Sequence, residues 1–192
     1  MTSIELKSLL ARFQELSILV VGDFFLDRYL IIDPGLAEIS LETGLEARQV
    51  IEIRNSPGAA GTVTSNLSAL GVGQIHALGV IGTDGHGHDL KAGLEKTSVI
   101  TSGLIEVDGR FTPTYTKPIS SRSGQEMERL DVKNRDILPR ELEDGIISNL
   151  EKALSHVDGV IISDQVQEEN CGVITNRVRD SLKVLASENP TI

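Results

Sequence analysis

Ile18-Leu19-Val20-Val21 is an unbroken apolar run that stops abruptly at Gly22-Asp23. A strand that is apolar on both faces needs cover on both, which is the situation of a central strand in a parallel sheet wrapped by helices. Two later segments have the same character: Ile75 to Ile81 (IHALGVI) and Val157 to Ser163 (VDGVIIS). Val99 to Val107 reads as a further strand. Between these runs the apolar spacing changes to that of helices. Val63, Leu67 and Leu70 are followed by Gly71, where a helix-ending glycine belongs. Leu90 and Leu94 mark a helix over Asp84 to Lys96, and Leu142, Ile146, Leu150 and Leu154 mark another opened by Pro139. Val173 to Leu185 is a last helix. At the N-terminus, Thr2 and Glu5 have capping-box spacing ahead of Leu6, Leu9, Leu10, Phe13 and Leu16. Strand and helix alternate, so the expected fold is α/β: a doubly wound, mostly parallel sheet with helices on both faces and right-handed crossovers.

Two stretches break the alternation, at about residues 29–53 and 112–132. Both are polar and strand-like. Asp33-Pro34-Gly35 reads as a turn, and Glu46 to Ile53 as a non-central strand. Thr114 to Ser120 and Glu126 to Val132 flank Ser121-Arg122-Ser123-Gly124, a plausible hairpin. Together they predict a small second sheet, a flap over a core. At 192 residues the chain suits one domain.

Charge and composition narrow the function. The net charge is -10 and aromatics are 3%, without tryptophan. An acidic surface with few stacking rings argues against nucleic acid or an anionic membrane as the main partner. No stretch approaches the ~18 apolar residues of a membrane span, and Met1 to Glu5 lacks the basic and apolar regions of a signal peptide. The expected location is the cytoplasm, which also suits the single cysteine, Cys171.

In open α/β sheets ligands bind beyond the carboxyl ends of the strands. That rule singles out Asp23 and Asp27, Asp84, and Asp164, although an aspartate after a strand also serves as a turn former or helix cap. Pro57-Gly58-Ala59-Ala60-Gly61-Thr62 is a second candidate, since side chains this small let a ligand approach the backbone at a helix start. It lacks the Lys-Ser/Thr ending of a P-loop and the Gly-x-Gly-x-x-Gly of dinucleotide binders, which disfavours an oxidoreductase. His86, His88 and Asp89 sit among turn glycines and are expected to be solvated rather than metal-bound. No metal site is expected.

The order of these features resembles a known family. Gly22-Asp23-Phe24-Phe25-Leu26-Asp27-Arg28-Tyr29 resembles the opening motif of ribokinase-like (PfkB-family) carbohydrate kinases, most of all the branch with the heptose-phosphate kinases. Pro57 to Leu67, with Leu70-Gly71, is similar to that family's glycine-rich sugar-binding helix start. Gly79-Val80-Ile81-Gly82-Thr83-Asp84 resembles its Gly-x-x-Gly-x-Asp strand end, Thr114-Tyr115-Thr116-Lys117 and Arg129-Leu130-Asp131 its lid hairpin, and Ser163-Asp164 the strand end before the ATP half. The resemblance implies an ATP-dependent kinase acting on a hydroxyl of a sugar or sugar phosphate. It implies that Asp27 binds sugar hydroxyls, that Gly58, Ala59 and Thr62 line the sugar, and that Lys117 reaches an anionic substituent. Asp23, Asp84 and Asp164 would form the crevice rim. The chain departs from the family pattern at Ala59, usually glycine, at Thr62, usually asparagine, and at Gln165-Val166-Gln167, where heptose-type kinases carry tyrosine and lysine.

In that family Mg²⁺-ATP and the catalytic base belong to an Asn-x-x-Glu motif and a Gly-Ala-Gly-Asp helix start, and neither occurs in residues 1–192. The expectation is therefore an N-terminal portion of one kinase domain. It would carry the sugar site and lid, with its base beyond Ile192, and be inactive alone. The alternative is a non-catalytic sugar-binding protein derived from the kinase fold. Lid strands with open edges also suggest a homodimer through the lid.

Overall fold

The computed structural model describes residues 3–190. Helix α1 (Ser3–Ala11) and a 3-10 turn (Arg12–Glu15) precede strand β1 (Ser17–Gly22). Thr2, the expected cap of α1, lies outside the described residues. Then follow β2 (Phe24–Ile39), β3 (Glu46–Ala59), α2 (Ala60–Ala69), β4 (Gln74–Gly82), α3 (Gly85–Lys96) and β5 (Val99–Val107). The chain continues through β6 (Thr114–Ser120), β7 (Leu130–Val132), α4 (Arg140–Leu154), β8 (Gly159–Ser163) and α5 (Asn176–Glu188).

The strands form two four-stranded sheets. One is parallel, in the order β5-β4-β1-β8; the other is mixed, in the order β3-β2-β6-β7. The double-sided apolar runs explain the first. Alternate residues of β1 enter opposite cores: Leu19 and Val21 join Ile146, Leu150, Val178 and Leu182 from α4 and α5. Val20 joins Ala60, Leu90 and Leu94 from α2 and α3. Strand β4 divides likewise, Leu78 and Val80 to one side, Ile75, Ala77 and Ile81 to the other. This is the doubly wound α/β architecture expected of the sequence.

The second sheet departs from expectation in extent. Strand β2 begins directly after Asp23 and runs to Ile39 through Asp33-Pro34-Gly35, where the sequence suggested a turn. The turn signature is satisfied locally, Asp33 Oδ1 accepting the Gly35 N–H at 2.9 Å. The ladder to β3 merely shifts register between Asp33 and Glu38. The chain reverses further on, where Ser40 N–H donates to the Leu45 carbonyl and Gly44 has φ 70°. Pro57-Gly58-Ala59, expected to lead into a helix, is the end of β3, paired with Leu26, Phe25 and Phe24. Pro57 is tolerated because β3 is an edge strand. The last helix starts later than its apolar pattern, at Asn176, because Thr175 caps it by accepting the Val178 N–H. Val173 and Ile174 are buried in the preceding loop.

Candidate functional site

Strand β2 carries the site because it belongs to both layers. Phe24 and Leu26 are buried in the α2/α3-side core, while Phe25, Asp27 and Tyr29 alternate onto the opposite face of the second sheet. Strand β6 lies parallel to β2 and sets Tyr115 and Lys117 beside Asp27 and Tyr29. The Lys117 ammonium donates to Asp27 Oδ1 at 2.7 Å and stands 5.0 Å above the Tyr29 ring centroid. Burial pulls the Lys117 ammonium down, but the hydrogen bond and charge of Asp27, helped by Tyr29, outweigh it and hold its pKa above the ordinary value. The other Asp27 oxygen faces Gly58, where an added Cβ would lie 2.7 Å from Oδ2. A side chain at position 58 would press on that carboxylate, and its absence leaves Oδ2 reachable.

Ala59 follows at φ 51°, ψ -117°, a conformation that glycine adopts freely and an L-residue only with strain. The glycine usual at that position in the resembling family has a conformational reason. Thr62, in the first turn of α2, bends its hydroxyl back to donate to the Pro57 carbonyl at 3.4 Å.

Two of the three rim aspartates, Asp23 and Asp84, hold backbone. Asp23 is 4% exposed. Its Oδ1 accepts the Val173 N–H at 2.7 Å, and Oδ2 accepts those of Gln165 and Val166 at 2.8 and 3.1 Å. Burial pushes this carboxyl above its ordinary pKa against the pull of those donors, with the Asp164 charge adding to the rise. Gly22, at φ 152°, makes the latch possible: a Cβ there would lie 2.0 Å from the Ser163 carbonyl oxygen. Asp84 caps α3 through the Gly87 N–H and also accepts the Thr112 N–H, fastening the segment that enters β6. Burial acts to raise the Asp84 pKa, yet these hydrogen bonds take it below the usual range. Asp164 pairs with Arg179 at 2.8 Å on an exposed surface.

A cavity of about 160 Å³ opens where the second sheet leans over the ends of β1 and β4. Its walls include Phe25 and Tyr115, packed edge to face at 5.2 Å. Of the residues expected at the site only Asp23 lines it, as part of its floor. Asp27, Gly58 and Lys117 are together on the continuation of the same sheet face; Ala59 and Thr62 lie at the α2 start, and Asp84 and Asp164 stand apart. Sequence reasoning missed Arg110 and Lys133 in this cavity. The one available signal was basic residues bracketing a hairpin in an otherwise acidic chain.

Among the described residues, no group of three or more His, Cys, Asp or Glu could hold a metal ion. His88 lies 3.6 Å from Asp89, whose other oxygen is occupied by Arg28 and Asn55. No helix of the described residues is long and apolar enough to cross a membrane.

Known proteins resemble this chain in sequence and in fold. The chain is 33% identical over 173 residues to the "Bifunctional protein HldE" of Aliarcobacter butzleri, a match covering 90% of this chain and 34% of that protein. The chain therefore spans about a third of the length of the curated relatives it matches. Among solved structures, a "possible 1-phosphofructokinase" from Thermotoga maritima superposes with a TM-score of 0.65 at 22% identity, over 92% of this chain and 52% of that one. Arabidopsis thaliana ribokinase complexed with ribose and ATP superposes with a TM-score of 0.51 at 16% identity, over 91% and 49%. At such identities these two establish the shared fold. The sequence model of pfkB family carbohydrate kinases matches residues 19–187, and the chain belongs to that family.

Proposed function

We propose that these residues form the sugar-binding and lid portion of an ATP-dependent kinase, of the heptose-phosphate kinase branch, that phosphorylates a hydroxyl of a sugar or sugar phosphate. The observation that carries this reading is the Asp27 carboxylate. One oxygen is oriented by Lys117, and the other faces the gap left by Gly58. A carboxylate so held accepts hydrogen bonds from two neighbouring hydroxyls, which is how polyols are recognised. Tyr29, Phe25 and Tyr115 on the same face supply apolar surface for a sugar ring.

Among the described residues no group of three or more His, Cys, Asp or Glu could hold a metal ion, and Asp23 and Asp84 are engaged by backbone donors. In this reading the chain's own part is to bind and orient the acceptor, while the nucleotide and base belong to residues after position 192. The second sheet acts as the lid. Its outer strand β3 exposes Ile51 and Ile53, 54% and 51% accessible, which supports pairing of two lids in a homodimer.

The test is a thermal-shift screen of free and phosphorylated sugars on the longest polypeptide carrying this chain, followed by the same screen on Asp27→Ala. A sugar that stabilises the parent through binding is expected to lose most of that effect in the variant. Unchanged sugar affinity in Asp27→Ala overturns the assignment. ATP-dependent sugar phosphorylation by residues 1–192 alone overturns the division of labour.

A further inference from the structure

The parallel sheet carries another cavity, of about 270 Å³, at the end away from the crevice. It lies between the second half of α4 and the first residues of β4 and β5. A bulge opens it. His76 pairs with Ile100 and Leu78 with Gly103, so Thr101 and Ser102 stand together against Ala77 alone. Such a bulge is uncommon in a parallel pair, and it re-aims the side chains around it. The small residues Ser102 and Gly103 then leave room beside His76.

The lining is chemically one-sided. His76, His156 and Lys152 meet there with Asn149 and Ser102, and no carboxylate joins them, although the chain carries a net charge of -10. The nearest acids in sequence are used elsewhere. Glu151 faces the groove against α5, and Asp158 accepts the Ser17 N–H at 2.8 Å. Among the described residues none of the three basic side chains forms an ion pair, and His76 Nε2 is buried without a hydrogen-bond partner. Burial, and then the charge of His156, lower the His76 pKa. A buried polar nitrogen left unmet is unfavourable, and two imidazoles at one cavity repel each other once both are protonated. A doubly charged oxyanion removes both costs, because it accepts N–H bonds from the imidazoles and the ammonium and offsets their charge. The dipole at the end of α4 favours cations, which keeps Lys152 and His156 at the rim. A metal ion is disfavoured, since the Lys152 ammonium offers no lone pair and repels it.

We propose that His76, His156 and Lys152 form an oxyanion site for the phosphate or carboxylate group of a small metabolite, distinct from the crevice. His76 lies six residues before Gly82, the crevice end of β4, a separation of ~20 Å along a strand. The two cavities share no lining residue, so the site stands independently of the sugar-kinase reading.

Calorimetric titration of sulfate into the full polypeptide carrying this chain tests the site, at an ionic strength fixed with chloride. Sulfate keeps its charge between pH 5.5 and pH 8, so any pH dependence belongs to the protein. Binding is expected to be about tenfold tighter at pH 5.5, where the imidazoles are protonated. Lys152→Gln is expected to weaken it about tenfold, as loss of a charge-assisted contact does. Lys91→Gln, which removes a surface lysine paired with Glu106, is expected to change nothing. His76→Gln risks misfolding, but Lys152 and His156 are exposed, so their variants decide. Imidazole NMR shows where the anion sits: sulfate should shift His76 and His156 and leave His86 and His88 unmoved. Sulfate that does not bind, or that binds Lys152→Gln as well as the parent, overturns the proposal. Zn²⁺ shifting the His76 and His156 resonances where sulfate does not makes this a metal site and overturns it too. Competition names the source: displacement of sulfate by methyl phosphate assigns a phosphate group, displacement by acetate a carboxylate, and displacement by neither overturns the metabolite assignment.

Discussion

Replacing Ala59 by glycine is expected to stabilise the fold. The residue joins β3 to α2 at φ 51°, ψ -117°, a region nearly closed to any residue with a Cβ. Holding an L-residue in such a sparsely populated region costs about 1–3 kcal/mol. Glycine removes that strain but adds freedom to the unfolded chain, about 0.4–1 kcal/mol in the opposite direction. The difference favours glycine by about 1 kcal/mol, and by no more than about 2.5. For a domain of this size each kcal/mol moves Tm by about 2–4 °C, so scanning calorimetry should show a rise of about 2–4 °C. Ala60→Gly is the matched control. Ala60 is fully buried and begins α2, where glycine offers no relief and lowers helix propensity by about 1 kcal/mol. The same chemical change one residue along should therefore lower Tm. A fall in Tm for Ala59→Gly, or shifts of equal sign in both variants, refutes the strain argument.

Asp23→Asn is expected to destabilise by about 3 kcal/mol, because an amide NH₂ replaces one of the two acceptor oxygens and faces N–H donors inside the protein. Hydrogen exchange of residues 165–173 should accelerate locally, and unchanged exchange there would show that the latch holds nothing. Stability should also fall in mild acid through His76. Burial and then the His156 charge lower its folded pKa, so the unfolded chain binds the proton first. The contribution is fully present above the ordinary histidine value of about 6.5 and is lost as pH falls below it. Urea midpoints at pH 8 and pH 5.5 for the parent and His76→Gln test this; an equal drop in both assigns the loss to other groups.

The parallel layer was legible because its signal is local. Successive residues of β1 go to opposite cores, and that requirement is written into four consecutive apolar side chains. Asp84 could be recognised as a helix cap for the same reason, its partner Gly87 being three residues away. Asp23 could not. Its donors are 142 to 150 residues distant, and nothing near Gly22 distinguishes a buried latch from a ligand-facing carboxylate. Asp33-Pro34-Gly35 misled because its side-chain bond satisfies a turn signature while the strand pairing resumes beyond it. Arg110 and Lys133 sit on connections flanking the β6–β7 hairpin. They line one cavity only because β2 carries the second sheet across the end of β1.

That crossing also constrains how the second sheet can move. Phe24 and Leu26 are 1% and 0% exposed, and they alternate with the Phe25 and Asp27 that face the crevice. Swinging the second sheet about its root would pull both side chains from the core, at about 1.5–3 kcal/mol each. The β2–β3 ladder already loses regular pairing at Ile31/Ile32 and again at Asp33/Glu38. Bending there sacrifices less pairing and leaves the core intact. The part of the second sheet that holds Asp27, Gly58 and Lys117 is therefore fixed to the body of the protein, and bending is expected in the ends of β2 and β3 beyond Ile31.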